Sequence, residues 1–147
     1  MNEHQNRGTQ PIQSARRVQF ARVRRFKWHS STACYTARHG FHNTPLAGVF
    51  GAAAAVASLL KLDAAQTNHA LGLAGSFAGG IREYLDEGAE VKRIHPGKAA
   101  RDGMVCAEFA RRGITGPSKV LEGRYGFAHT HVGGQFKWER LLDGLGS

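Results

Sequence analysis

Small and apolar residues fill the stretch from Leu46 to Leu60, which reads LAGVFGAAAAVASLL. No charged residue interrupts it, so a helix formed there would be apolar on every face and is expected to be buried on all sides. Thr44 and Pro45 come just before it and suit an N-cap and a first helical residue. We therefore predict a helix beginning at Thr44-Pro45 in the centre of a helical core.

A second helix is predicted by its start signal. Residues 61–62 form a short joint, and Asp63 with Gln66 makes a capping-box pattern in which each side chain bonds the other residue's backbone N–H. The helix is expected to run to residues 76–77, and the glycines at 79–80 close the segment.

The next segments are shorter. Residues 81–90 are predicted to form a helical turn that stops at Gly88, and Pro96 is well placed as the first residue of a helix reaching Arg112. A residue before proline is biased against helical geometry, so His95 is expected to be extended, at the mouth of that helix.

The last third predicts a short helix over residues 116–123, a loop around residues 129–134 and an amphipathic helix over residues 135–142. The chain shows no convincing alternation typical of strands and no internal repeat. The predicted fold class is all-α.

Charge divides the chain into two parts. Residues 1–39 carry eight Lys or Arg and one acid, whereas residues 40–147 carry twelve Lys or Arg and ten acids. A basic, acid-poor start is compatible with a transit peptide, or with a nucleic-acid-binding arm in which Phe20, Phe26 and Trp28 stack on bases. We adopt the third interpretation, a disordered or aberrant leader over 1–39 followed by a helical domain over 40–147.

Cys34 and Cys106 are the only cysteines, which is too few for a disulfide framework or a metal ligand set. A reducing, cytoplasmic setting is the resulting expectation. Neither a run of apolar residues long enough to cross a membrane nor a secretory signal is visible.

Candidate chemistry lies at the starts of two predicted helices. His42 precedes the helix at Pro45, while Lys92 and His95 precede the helix at Pro96. A helix N-terminus offers free N–H groups and partial positive charge, which suits an anion such as a carboxylate. On these residues alone, a histidine before a helix is more often a capping or packing residue, and a lone lysine is usually a solvated charge.

The same residues carry a family resemblance. Residues 40–44, GFHNT, resemble the GFHPT segment of the MmgE/PrpD family, which includes 2-methylcitrate dehydratases and cis-aconitate decarboxylases. Similarity to that family continues through LLKLDAAQTNHALGLAGSFAGGIREYLDEGAEVKRIHPGKAARDG, GITGPSKVLEGRYGF and FKWERLLDGLG, and covers about residues 40–146.

The resemblance implies a large helical domain joined to a smaller α+β domain, in a dimer with the active site between domains. It implies a dehydratase, decarboxylase or epimerase that acts on small di- and tricarboxylic acids without a metal or other cofactor. Matched to the family's motifs, His42 and His95 correspond to catalytic residues for proton transfer or hydrogen bonding. Lys92 corresponds to a lysine that binds a substrate carboxylate.

The sequence also departs from the family pattern. Asn43 replaces the usual proline of GFHPT, and Val91 stands where threonine is usual. The helices that normally come first and the second domain are not found, so we expect a fragment of the large helical domain that is inactive in isolation. Three hypotheses follow: a lyase completed by further segments, an inactive remnant, or, least favoured, a nucleic-acid-binding module.

Overall fold

The computed structural model describes residues 35–134. Within this range the α-helices are α1 (Asn43–Leu59), α2 (Ala64–Phe77), α3 (Tyr84–Glu87), α4 (His95–Arg111) and α5 (Phe127–Val132), and a 3₁₀-helix covers Glu90–Ile94. A helical turn over residues 35–38 precedes α1. The described range contains no strand, only an isolated antiparallel bridge between Phe41 and Ile81. The predicted all-α class is confirmed.

Two predictions concern residues outside 35–134. These are the amphipathic helix over residues 135–142 and the basic arm with its aromatic residues, of which only residues 35–39 are described. Across the described residues, none of the helices combines the length and the apolar character that crossing a membrane requires.

Helix α1 begins slightly earlier than predicted. Its N-cap is His42, with an extended backbone and no side-chain capping bond, so Thr44 is not the cap. Pro45 therefore occupies the third helical position, still within the first turn, where a missing N–H costs no helical hydrogen bond. In α1, burial is heaviest on one face, and several alanines of the helix are only half-buried. The prediction that every face of this helix is buried therefore does not hold for the described residues.

Helices α1 and α4 pack side by side at close range. A Cβ atom built on Gly103 of α4 would lie 2.4 Å from Cβ of Ala52 and 2.6 Å from the backbone nitrogen of Ala53. Gly48 of α1 likewise faces Ala99, at 3.0 Å. The small residues of both helices thus allow near-contact of their backbones.

Helix α2 packs against both α1 and α4. Its start is confirmed: the Asp63 side chain accepts from the backbone of Gln66, whose side chain accepts from the backbone of Asp63. Lys61 adopts a positive φ of 53° in the joint before it. The end at Phe77 and the stop of α3 at Gly88, with a φ of 70°, also match the predictions.

His95 is helical, which corrects the expectation that it is extended. Its φ of −57° and ψ of −41° continue the 3₁₀-helix over Glu90–Ile94 directly into α4, so Pro96 is the second residue of α4. Proline disfavours this geometry in the residue before it. The buried ring contacts of His95, described below, offset that cost.

The region after α4 also differs from the prediction. Residues 118–122 form turns in place of the expected short helix, and α5 occupies much of the expected loop. Gly116 packs tightly on α2, where an added Cβ would lie 2.5 Å from the backbone nitrogen of Leu73. Phe127 is buried and meets Phe50 of α1 edge to face. Contacts with distant elements, not local preference, determine the conformation here.

The residues just before the charge break pack on the helical domain. Thr36 is 1% exposed, and its hydroxyl donates to the Asn43 side chain at the start of α1. Tyr35 contacts the main apolar cluster. Residues 35–39 therefore form part of the folded unit that supports the start of α1.

Candidate active site

A short backbone pairing positions the start of α1. The N–H of His42 donates to the carbonyl of Gly80 at 2.9 Å, and the N–H of Arg82 donates to the carbonyl of Gly40 at 2.8 Å. Gly80 has a φ of 153°, and a Cβ there would lie 2.4 Å from Cγ of Pro45. This pairing brings the segment after α2 against the N-terminus of α1.

The N-termini of α1 and α4 meet at one end of the packed helices. His42 caps α1 and His95 opens α4, and their Nδ1 atoms are 2.7 Å apart. Their ring centroids are separated by 4.9 Å. We call these two residues the histidine pair. Their 53-residue separation in sequence is bridged by the contact of the two helices.

Tyr84 of α3 packs against both rings of the histidine pair. It meets His42 at 5.5 Å and His95 at 5.7 Å between centroids, edge to face in both cases. Tyr84 is 6% exposed. An aromatic wall on one side restricts the motion of both imidazoles and excludes water from that side.

Both imidazoles are held toward their neutral forms. Burial lowers the pKa of His42, and the charges of His95, Lys92 and Arg82 lower it further. Burial also lowers the pKa of His95, with a further contribution from Lys98. At neutral pH the histidine pair therefore offers unprotonated nitrogen to a proton donor.

The cations beside the histidine pair differ in how free their charged groups are to bind an anion. Lys98 donates to the Asp102 carboxylate at 2.8 Å and to the carbonyl of Phe77 at 3.2 Å, so its ammonium group is already engaged. Arg82 makes a long bond of 3.4 Å to the carbonyl of Ala37. Lys92 is exposed on the 3₁₀-helix. Lys92 and Arg82 are the cations best able to receive an anion.

The structure therefore brings together the residues that the sequence singled out. His42 and His95 are in direct contact, and Lys92 lies near enough for its charge to act on His42. Sequence reasoning missed Arg82 and Tyr84. The only signal for them was their position in the segment between the Gly79-Gly80 stop and Lys92. The catalytic and binding roles of His42, His95 and Lys92 remain predictions.

A separate cavity of about 350 Å³ lies between α2 and the 117–131 segment. Ser76, Lys119 and His131 contribute to its lining, and neither member of the histidine pair does. In the described residues, no three His, Cys, Asp or Glu side chains come together in a way that could hold a metal ion.

Comparisons with known proteins agree with the sequence resemblance. Over 87 residues, 59% of this chain, it is 41% identical to a cis-aconitate decarboxylase-like protein, oryM, of Aspergillus oryzae. It is 33% identical to the human cis-aconitate decarboxylase and 32% identical to the mouse enzyme over the same length. The match spans only 18%, 18% and 17% of these relatives, respectively.

The family-level match is broader than these pairwise ones. The MmgE/PrpD N-terminal domain matches residues 28–139, which include the whole of the histidine pair, α1 to α5 and the cations beside the site. The match covers well over half of the 147 residues. This chain belongs to the MmgE/PrpD family.

Proposed function

We propose that this chain supplies a proton-transfer and carboxylate-binding site to a lyase that acts on small di- or tricarboxylic acids. The observation that carries the proposal is the 2.7 Å contact of the histidine pair at two converging helix N-termini. In the proposed reaction, a decarboxylation or dehydration, a proton is removed or delivered beside a carboxylate. Neutral imidazoles next to cations suit that task.

The proposed roles follow from exposure and charge. Lys92 is exposed and binds a substrate carboxylate, and Arg82 assists it from the paired segment after α2. The positive ends of the α1 and α4 helix dipoles add positive potential at the same place. His42 and His95 transfer the proton. No metal or other cofactor enters this proposal.

The names of the relatives indicate which substrate should be tested first. Cis-aconitate is the substrate named for the human and mouse relatives, and it carries three carboxylates. The chain matches less than a fifth of the length of those relatives. We therefore propose that further segments complete the active site. We also propose that the complete enzyme is a dimer in the cytoplasm.

Binding tests the proposal on the chain itself. Cis-aconitate added to the 147-residue protein is expected to shift the imidazole NMR signals of His42 and His95 saturably, whereas acetate at equal ionic strength is not. Lys92→Ala is expected to weaken that binding about tenfold, the effect of losing one charge-assisted contact of about 1.4 kcal/mol.

Arg93→Ala is the matched control for Lys92→Ala. Arg93 is the next residue, its side chain is 81% exposed, and its guanidinium is paired with Glu90. Its removal should leave binding within about twofold, since exposed ion pairs contribute little. Equal losses in the two variants would indicate a general charge effect and would contradict the proposed role of Lys92.

Turnover distinguishes the possible reactions. A family enzyme that carries residues 35–134 of this chain in place of its own matching region is offered cis-aconitate, 2-methylcitrate and iminodisuccinate. Product analysis then separates loss of carbon dioxide, loss of water and epimerisation. If this hybrid folds and binds carboxylates but converts none of them, the segment is a catalytically inactive remnant.

A further inference from the structure

The contact within the histidine pair requires a proton between the rings. Two unprotonated Nδ1 atoms at 2.7 Å would direct lone pairs at each other, and two protonated ones would direct N–H groups at each other. Only an N–H···N arrangement is attractive at this distance. One Nδ1 atom therefore carries hydrogen and the other accepts.

This arrangement couples the tautomers of the two rings. In the neutral pair, the ring that donates from Nδ1 has an unprotonated Nε2, and the ring that accepts at Nδ1 has its hydrogen on Nε2. The histidine pair therefore has one basic end and one acidic end. Transfer of the shared proton reverses the two ends only when the basic Nε2 also gains a proton and the other Nε2 loses one.

The Nε2 atoms at the two ends of the pair differ in their surroundings. Nε2 of His42 lies 3.3 Å from Oγ1 of Thr44, a hydroxyl that can donate or accept and so fits either tautomer. Nε2 of His95 has no hydrogen-bond partner in the described part of the chain. Every fully buried side-chain nitrogen and oxygen of the described residues has a partner, so this atom is not fully buried, although His95 as a residue is only 5% exposed.

We propose that His42 and His95 form a two-ring proton relay, in which a proton taken up at Nε2 of one ring is released from Nε2 of the other. The relay deepens the proposed function and rests on it for its place in a reaction. It makes the two histidines one acid–base unit instead of two separate catalysts.

The relay step balances in protons and charge. The basic Nε2 takes a proton from its donor, and that ring becomes an imidazolium. Its Nδ1 proton then moves to Nδ1 of the second ring, which releases the proton on its own Nε2 to an acceptor. One proton enters and one leaves, and the pair returns to neutral with both tautomers reversed.

The groups around the pair limit it to one extra proton. Lys92 on the 3₁₀-helix and Arg82 on the paired segment act on His42, and Lys98 of α4 acts on His95. The ring of Tyr84 closes one side of the pair. A second added proton would break the Nδ1 contact and place two cations against each other, so the pair alternates between neutral and singly charged forms.

Nitrogen NMR of the ligand-free, full 147-residue chain tests the shared proton directly. With ¹⁵N-labelled histidine, we expect a scalar coupling across the hydrogen bond between the two Nδ1 atoms. The coupling should disappear in His42→Gln, whose amide nitrogen mimics Nε2. The chain has eight histidines, and the signals of the six outside the pair serve as the internal control for folding.

Titration supplies a second readout. On acidification, His42 and His95 should share one midpoint, each showing part of the full imidazolium shift, with the two fractions summing to about one proton. In His42→Asn, which keeps an amide near the Nδ1 position, His95 should show the full shift alone. Absence of the coupling, or two complete and independent titrations in the unaltered chain, would overturn the relay.

These results separate the relay from the proposed function. Saturable binding of cis-aconitate without the coupling would refute the relay and leave the function standing. The coupling without any carboxylate binding would refute the function, and the shared proton would then have no assigned reaction.

Discussion

Asp102 shows how a single buried charge is stabilised in this domain. Burial by itself would raise the pKa of this carboxyl, but hydrogen bonds and charges from Lys98 and Arg101 hold it below its ordinary value. Lys98 also donates to the carbonyl of Phe77. The carboxylate therefore anchors a side chain that connects α4 to the end of α2.

Asp102→Asn is expected to lower the free energy of unfolding by about 1–3 kcal/mol at pH 7, because Lys98 loses its charged partner in a half-buried position. Urea denaturation measures the change. Since the folded-state pKa is lowered, this stabilisation is present above the ordinary value of 3.8 and is lost as the pH falls further. Asp86→Asn, at an exposed position, should change stability little. Equal effects of the two variants would contradict this role.

At the scale of elements, the close approach of α1 and α4 creates the site, because it brings His42 and His95 together. The glycine at position 103 allows that approach, since its missing Cβ leaves room for the backbone of α1. Nothing lies within 4 Å of a Cβ built on Gly51, although it also belongs to a helix of this pair. The two glycines therefore form a matched comparison.

Gly103→Ala is expected to destabilise the fold by about 1–3 kcal/mol or more, because the new methyl group would overlap backbone atoms of α1. Gly51→Ala should be neutral or stabilising by up to about 1 kcal/mol, as alanine favours helix. Thermal unfolding of both variants provides the measurement. The Gly103 variant should also weaken the coupling between His42 and His95. If it unfolds like the unaltered protein, the two helices are not as close as described.

At the scale of the whole molecule, stability is expected to depend on pH through three histidines. The pKa values of His42, His95 and His131 are all lowered, with burial as the first cause in each case. The folded state therefore takes up these protons less readily than the unfolded chain. The free energy of unfolding should fall as the pH drops through the ordinary histidine value of 6.5.

Urea denaturation at pH 7.5 and pH 5.5 measures this dependence. His131→Asn removes one contributing group away from the histidine pair and should make the loss of stability smaller. If the free energy of unfolding stays constant or rises from pH 7.5 to pH 5.5, the histidines gain protons as readily in the folded state as in the unfolded chain. That result would contradict the prediction.

Local sequence determined those features whose physical cause lies within a few residues. The capping box of Asp63 and Gln66 and the stop at Gly88 depend on neighbouring backbone groups and on the conformational freedom of glycine, so they could be predicted. The uninterrupted run of apolar and small residues in α1 likewise indicated a core helix. The family motif identified His42, Lys92 and His95 as candidates before any geometry was known.

Tertiary structure decided what depends on residues far apart in the chain. The helical conformation of His95, the turns that replace a helix at residues 118–122 and the presence of α5 all follow from packing against other elements. The 2.7 Å contact of the histidine pair and its wall at Tyr84 arise because α1 and α4 pack together. Local helix preferences change the free energy by less than about 1 kcal/mol per residue, whereas burial of a large side chain contributes about 1.5–3 kcal/mol. Burial and long-range contacts therefore decide the conformation where they conflict with local preference.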